Sequence, residues 1–255
     1  MLAWPPESGG QAWDLRLGAR AYRQAHLDML DYARSYRPAR ILLPVGNDLF
    51  HANQNLHTGG AGTHRGTPVD VDGRLAKVFG TVAALVSWSV DAWAELAPVD
   101  VLVVPGNHDR DEVFRLGLVL EARYRSSRRV RVRSGPEPRK YYGWRGVALM
   151  LTHGERLARV AASLPLIMAT ECPPSIWSSA RCREVLTGHH HRRIQGRVYL
   201  PGADVNEDRG VVVRSLPALT SPDAWHHSMG YAHRQAATLL AYGPGYLLGL
   251  HETRP

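Results

Sequence analysis

The chain has 255 residues, 44% of them hydrophobic and 21% charged, with 31 Lys and Arg against 23 Asp and Glu for a net charge of +8. Such a chain can bury a substantial core, and its two cysteines are too few for a disulfide framework and fit a reduced, cytoplasmic setting. No apolar run approaches the roughly 20 residues a bilayer span requires, and Trp4-Pro5-Pro6-Glu7 breaks any secretory leader pattern.

Residues 1–12 read as an irregular start. From Asp14 to Tyr36 apolar residues recur at helical spacing and Pro38 closes the segment; Ala39 to Val45 then reads as a buried strand. Residues 51–68 form a long polar loop rich in Asn, Gly, Thr and His, of the kind that is functional or disordered. A second helical pattern spans Val71 to Leu96 with Pro98 as its stop, and Val99 to Val104 is the next strand, so strand–helix–strand order predicts a parallel sheet. Asp111 to Tyr124 reads as a helix, Arg129 to Arg133 as an alternating half-buried strand, Lys140 to Trp144 as a strand after the Pro136/Pro138 turn, and Val147 to Leu151 as another. Residues 155–182 mix helix and loop, Glu184 to Thr187 is a strand, and Val211 to Arg214, Thr238 to Tyr242 and Tyr246 to Leu250 are short β-like pieces. With no internal repeat and no linker, residues 1–255 are expected to form one α/β domain.

Four of these runs end in polar residues: Gly46-Asn47-Asp48, Gly106-Asn107-His108-Asp109, His153-Gly154-Glu155 and Gly188-His189-His190-His191. Parallel strands in α/β sheets present their carboxyl ends to a common crevice where ligands bind, and Asp, Asn and His are ligands for hard and borderline metals. The arrangement predicts one metal centre assembled from distant segments. Neither cysteine lies in a CxxC pair, which argues against a thiolate site.

These four motifs, in this order, resemble those of the calcineurin-like metallophosphoesterases, most closely the phage- and prophage-borne members. The resemblance implies a sandwich of two mixed β-sheets flanked by helices, with two divalent metals at the carboxyl edge. Carried over by position, Asp48 would bridge both metals; Asn107, His153 and His189 would complete one, and His191 would contribute to the other. His108 would approach the scissile phosphate with Asp109 orienting it. Mn²⁺ is the favoured metal, with Fe²⁺, Zn²⁺ or Ni²⁺ also suited to such donors. A cation pair about 3.5–4 Å apart activates water and holds phosphoryl oxygens, and an imidazole beside a carboxylate suits general-acid help to a leaving oxygen.

Two features depart from the family pattern. Asn47 intervenes between Gly46 and Asp48, and His51 stands three residues after the aspartate, a candidate substrate contact. The Asp-x-His that opens the family is also missing: its nearest imitation is Asp14-Leu15-Arg16, and Leu2-Ala3-Trp4 matches a segment that follows it in the phage-type relatives. The chain is thus expected to begin just after that motif, leaving one metal short of ligands and the sheet without its first strand.

The implied activity is metal-dependent phosphoester hydrolysis, with phosphodiesters, DNA or RNA among them, as the favoured substrate. A phosphomonoesterase on nucleotides or phosphoproteins is the alternative, as is a degenerate non-catalytic relative that binds nucleic acid. Arg129 and Arg131, within the run Arg123, Arg125, Arg128, Arg129, Arg131 and Arg133, are candidate phosphate-binding residues; a solvated edge strand guarded by charge accounts for the same run. No membrane partner is expected, and the oligomeric state is left open.

Overall fold

Asp14 starts the first helix by accepting the Leu17 amide on its carboxylate at 2.6 Å, which satisfies one of the amides that a helix start leaves without a partner. The helix, α1, runs Leu15–Tyr36 and stops where Arg37 turns left-handed ahead of Pro38. A computed structural model describes residues 13–54, 61–63, 66–67, 74–155, 163–188, 205–208, 210–220 and 235–254. In chain order α1 is followed by β1 (Ile41–Gly46), the two-residue strands β2 (Asn53–Gln54) and β3 (Ala61–Gly62), α2 (Leu75–Leu96), β4 (Val99–Val104), α3 (Arg110–Tyr124), β5 (Val130–Arg133), β6 (Arg139–Trp144) and β7 (Val147–Thr152). The short helices α4 (Leu164–Glu171) and α5 (Pro174–Ser179) lead to β8 (Cys182–Thr187), β9 (Val205–Asp208), β10 (Val211–Ser215), β11 (Ala237–Gly243) and β12 (Tyr246–Thr253).

Two sheets carry the architecture. The first is parallel in the order β1-β4-β5, and the second, β6-β7-β8-β10-β9, is mixed, with β7, β8 and β10 parallel to one another. Among the described residues only the second of these sheets is mixed, where two mixed sheets were expected. Side chains alternate across a strand, and β4 uses both faces. Val99, Val101 and Val103 enter a core with α1, α2 and α3, while Leu102 and Val104 meet Val147, Leu149 and Leu151 of β7 and Leu186 of β8 between the sheets. A third cluster places Leu164 and Met168 of α4 on the outer face of the second sheet. The layers therefore run helices, sheet, sheet, helices, an α/β sandwich.

β1 is an edge strand, with nothing paired to its outer side among the described residues. β11 and β12 form a hairpin of their own. Ala237 and Leu239 pack with the helix-side core, as Leu43 and Val45 do, and Leu240 and Tyr242 join Leu42 in the inter-sheet core. β11 thus lies in the layer of β1 without a hydrogen-bonded ladder to it. Inside the polar loop, β2 and β3 form a two-residue antiparallel ladder that sequence periodicity did not register.

α2 has the length and composition of a membrane-crossing helix, contrary to the expectation that no segment approaches this. Here Val82, Val86, Val90 and Trp93 are buried in the core shared with α1 and the first sheet. The Trp93 indole N–H donates to Nδ1 of buried His26 at 2.8 Å, so that nitrogen carries a lone pair and the ring is neutral with its proton on Nε2. Burial pushes the His26 imidazole down to about 4. Because the folded value lies below the usual 6.5 or so, the unfolded chain takes up a proton that the folded chain refuses as pH falls between these values, and stability is lost over that window. The loss reaches about 3 kcal/mol by pH 4. Denaturant unfolding at pH 7 and pH 4.5 is expected to show a steeper drop for the wild type than for His26→Gln, which keeps an acceptor but does not titrate; equal drops would rule out this origin.

Candidate metal centre

β1, β4, β7 and β8 all end on the same side of the sandwich, and main-chain hydrogen bonds lace their exits together. The Asn47 amide donates to the Val104 carbonyl at 2.8 Å, and the Gly188 amide donates to the His153 carbonyl at 3.1 Å. Asn47, Asp48 and His51 all adopt left-handed backbone, with φ of 62°, 68° and 65°. This conformation is uncommon outside glycine, with Asn, Asp and His its most frequent occupants, and such clusters mark functional loops. Gly106 leaves room for the turn: a Cβ there would overlap the Asp48 carboxylate.

His153 is the focus of the site. Its Nε2 lies 3.0 Å from Asp48 Oδ2 and 2.6 Å from Asn107 Oδ1, and its Nδ1 is in close contact with Asn47 Oδ1. Three oxygens therefore face two ring nitrogens. Such a ring is satisfied in one of two ways: as an imidazolium that donates from both nitrogens, or with a cation seated between Nε2 and the Asp48 and Asn107 oxygens. Ligands at right angles around a metal with bonds of about 2.1 Å stand about 3 Å apart, close to the spacing found here. The donors at the focus, one carboxylate, one carboxamide and one imidazole, thus fit a divalent ion. Among the described residues no three His, Cys, Asp or Glu side chains gather around one point, so Asp48, Asn107 and His153 by themselves fall short of a full ligand set for either of the two expected ions. His189 and His191 lie outside the described residues.

Asp48 is tied down on both carboxylate oxygens, since Oδ1 accepts the His108 amide at 2.8 Å. Burial opposes its ionisation, yet the hydrogen bond and attraction of His153, together with those of His108, hold its carboxyl below the ordinary value. Its neighbour behaves oppositely. Asp109, fully buried at the start of α3, is pushed up to about 8 by burial and then by the charge of Asp48, against the pull of the Phe50, Asp48 and Gly106 amides. One ionised and one neutral carboxyl thus share the site, which is how close carboxyl pairs avoid mutual repulsion.

His108 is supported differently from the expectation. Its Nδ1 faces the His51 carbonyl at 3.0 Å, and the two imidazoles stack at 5.3 Å with 26° between planes. Asp109 instead accepts the Phe50 amide at 2.8 Å, because its backbone, at the N-cap of α3, turns the carboxylate beneath the loop. Orientation of His108 therefore falls to the His51 carbonyl rather than to Asp109. His51 sits in the site through its backbone and ring, and Asn47, which looked like a mere insertion between Gly46 and Asp48, supports His153. The available signal for Asn47 was that a metal-binding histidine needs an acceptor for its second nitrogen.

Arg129 and Arg131 are not brought here. Arg131 pairs in register with Asp100, near the start of β4, and the Arg129 carbonyl accepts the Val99 amide. Six residues of extended chain, about 20 Å, separate Asp100 from Gly106, so both arginines belong to the opposite end of the sheet. Comparison with known proteins found no matching family model and no matching curated protein.

Proposed function

We propose that the chain is a divalent-metal-dependent phosphoester hydrolase of the calcineurin-like type, acting on phosphodiesters in the cytoplasm. The observation that carries this reading is the convergence of Asp48 and Asn107 on Nε2 of His153, whose other nitrogen is held by Asn47. Asp48, Asn107 and His153 would hold an ion, Mn²⁺ being favoured, with His189 and His191 as candidates for the remaining coordination. When bound, the metal supplies Lewis-acid polarisation of the phosphoryl group and acidifies a water.

The residues of the chain supply the rest. Asp48 offsets the cationic charge with one ionised carboxylate, while neutral Asn107 and His153 leave the site positive enough for an anionic ester. His108, with Nδ1 committed to the His51 carbonyl, has Nε2 free to carry a second proton and deliver it to the departing oxygen. Rigid support of this ring by a main-chain carbonyl holds that proton in a fixed direction. The free thiols Cys172 and Cys182 agree with a reducing compartment.

The substrate class is tested by incubating purified protein with Mn²⁺ and bis-p-nitrophenyl phosphate or p-nitrophenyl phosphate. The diester is expected to be turned over with a kcat/KM at least about tenfold higher, a difference of about 1.4 kcal/mol in transition-state binding. Preference for the monoester would redirect the reading to phosphomonoesters. Absence of turnover with Mn²⁺, Fe²⁺, Zn²⁺ and Ni²⁺ alike would end the hydrolase reading.

A further inference from the structure

We propose that the edge strand β5 and the turn leading into it form a nucleic-acid-binding surface separate from the metal centre. The turn and strand place Arg125, Arg128, Arg129, Arg131 and Arg133 on the surface, all exposed. Among the described residues none of the five has a carboxylate within ion-pair distance, whereas Arg40, Arg115, Arg123 and Arg139 each have one. Acidic residues thus form ion pairs with arginines around this face, while on the face itself no carboxylate comes closer than the longer-range attraction between Arg133 and Glu137. Two of its members are nevertheless fixed in place by neutral acceptors. Arg129 Nε donates to the Ala94 carbonyl at 2.6 Å, and Arg133 donates to the Tyr141 carbonyl at 3.2 Å. Positions are held while charge remains available, which lowers the ordering cost of binding.

The geometry suits a phosphate chain. Val130 and Val132 pack into the helix-side core, so Arg131 and Arg133 share the opposite face of the strand, about 7 Å apart along it. β5 is the outermost strand of its sheet, with no partner on its far side among the described residues. The β6–β7 turn adds Arg145 at the same end of the sandwich, its guanidinium 5.0 Å from the centre of the half-buried Trp144 ring. Guanidinium forks match pairs of phosphate oxygens. An anionic membrane is the poorer fit, since no large apolar side chain is exposed between residues 123 and 133 to enter the lipid interface.

The surface does not depend on hydrolysis. Binding of a fluorescein-labelled 20-nucleotide single strand, and of the matching duplex, is measured by anisotropy with full-length protein in EDTA from 50 to 300 mM NaCl. The wild type is expected to bind, with log Kd rising linearly against log salt, and the triple variant Arg128→Glu, Arg131→Glu, Arg133→Glu to bind at least about 30-fold more weakly with a salt slope smaller by about 2–3. Asp48→Ala is expected to bind as the wild type does. A milder pair, Arg125→Ala with Arg128→Ala, gives a smaller loss in the same direction and stands in if the triple variant unfolds. The proposal is overturned if the arginine variants retain wild-type affinity, if the wild type binds neither nucleic acid, if it binds only phosphatidylserine vesicles, or if Asp48→Ala costs as much as the triple variant. The small nitrophenyl esters report on the metal centre alone, so the two proposals fail separately.

Discussion

Replacing Asp48 by alanine is expected to lower kcat/KM for bis-p-nitrophenyl phosphate with Mn²⁺ by about 10³-fold or more, comparable to deletion of a principal electrostatic element of an active site. Two contacts vanish together: the bond from the His108 amide to Oδ1 and the approach of Oδ2 to His153. The first fixes the turn that carries His108, and the second brings a carboxylate oxygen to 3.0 Å from His153 Nε2. Asn47→Ala is expected to have a smaller effect, about 10–100-fold, as is usual for residues that support a metal ligand, and to show it as weaker Mn²⁺ binding by calorimetry. Asp48→Asn keeps the size of the side chain and separates loss of charge from loss of folding. Unchanged turnover in both Asp48 variants would remove this carboxylate from the chemistry.

The second large effect is on stability. Glu184 on β8 is almost wholly buried, and its Oε2 accepts both Arg214 Nε of β10 and the Tyr242 hydroxyl of β11, each at 3.1 Å. The side chains of Arg214 and Glu184 are only 10% and 3% exposed, so their charges have little water to fall back on. Burial, reinforced by the neighbouring Glu184 charge, pushes the Tyr242 hydroxyl far above its ordinary value, which keeps it a donor. Removing the carboxylate strands a guanidinium in the interior, a change that costs about 3–5 kcal/mol. Glu184→Ala is therefore expected to lower Tm by roughly 10 °C in a chain of this size. Replacing Glu184 and Arg214 together by leucine is expected to recover most of it, because an apolar pair leaves no charge unpaired. A melting point for Glu184→Ala within about 2 °C of wild type would show that water reaches Arg214.

Much of the layered fold was readable from the residues because burial writes itself into the pattern. Val101 to Val104 and Val147 to Leu151 are apolar without interruption, and both proved to lie in strands covered on two faces. Asp14 and Pro38 marked the ends of α1 through capping and backbone restriction. Asp48, Asn107 and His153 were visible as polar residues at the ends of apolar strands, and they do meet. What was not readable depended on pairings across long stretches of chain. The partner of His108 is a main-chain carbonyl, which any residue possesses, so no side-chain pattern could announce it. Likewise, the distance of Arg129 and Arg131 from the centre follows from the direction of β5 beside β4, which becomes visible only once the strands are paired. α2 shows the reverse limit, since its apolar length describes a core helix as well as a membrane one.

The left-handed run at Asn47, Asp48 and His51 has an energetic corollary. Such conformations cost about 1–3 kcal/mol each, toward the low end for Asn and Asp, and folding of the surrounding sheets meets that expense in advance. An arriving ion or ester consequently finds the donor atoms already aimed, and little of its affinity is diverted into reshaping the loop.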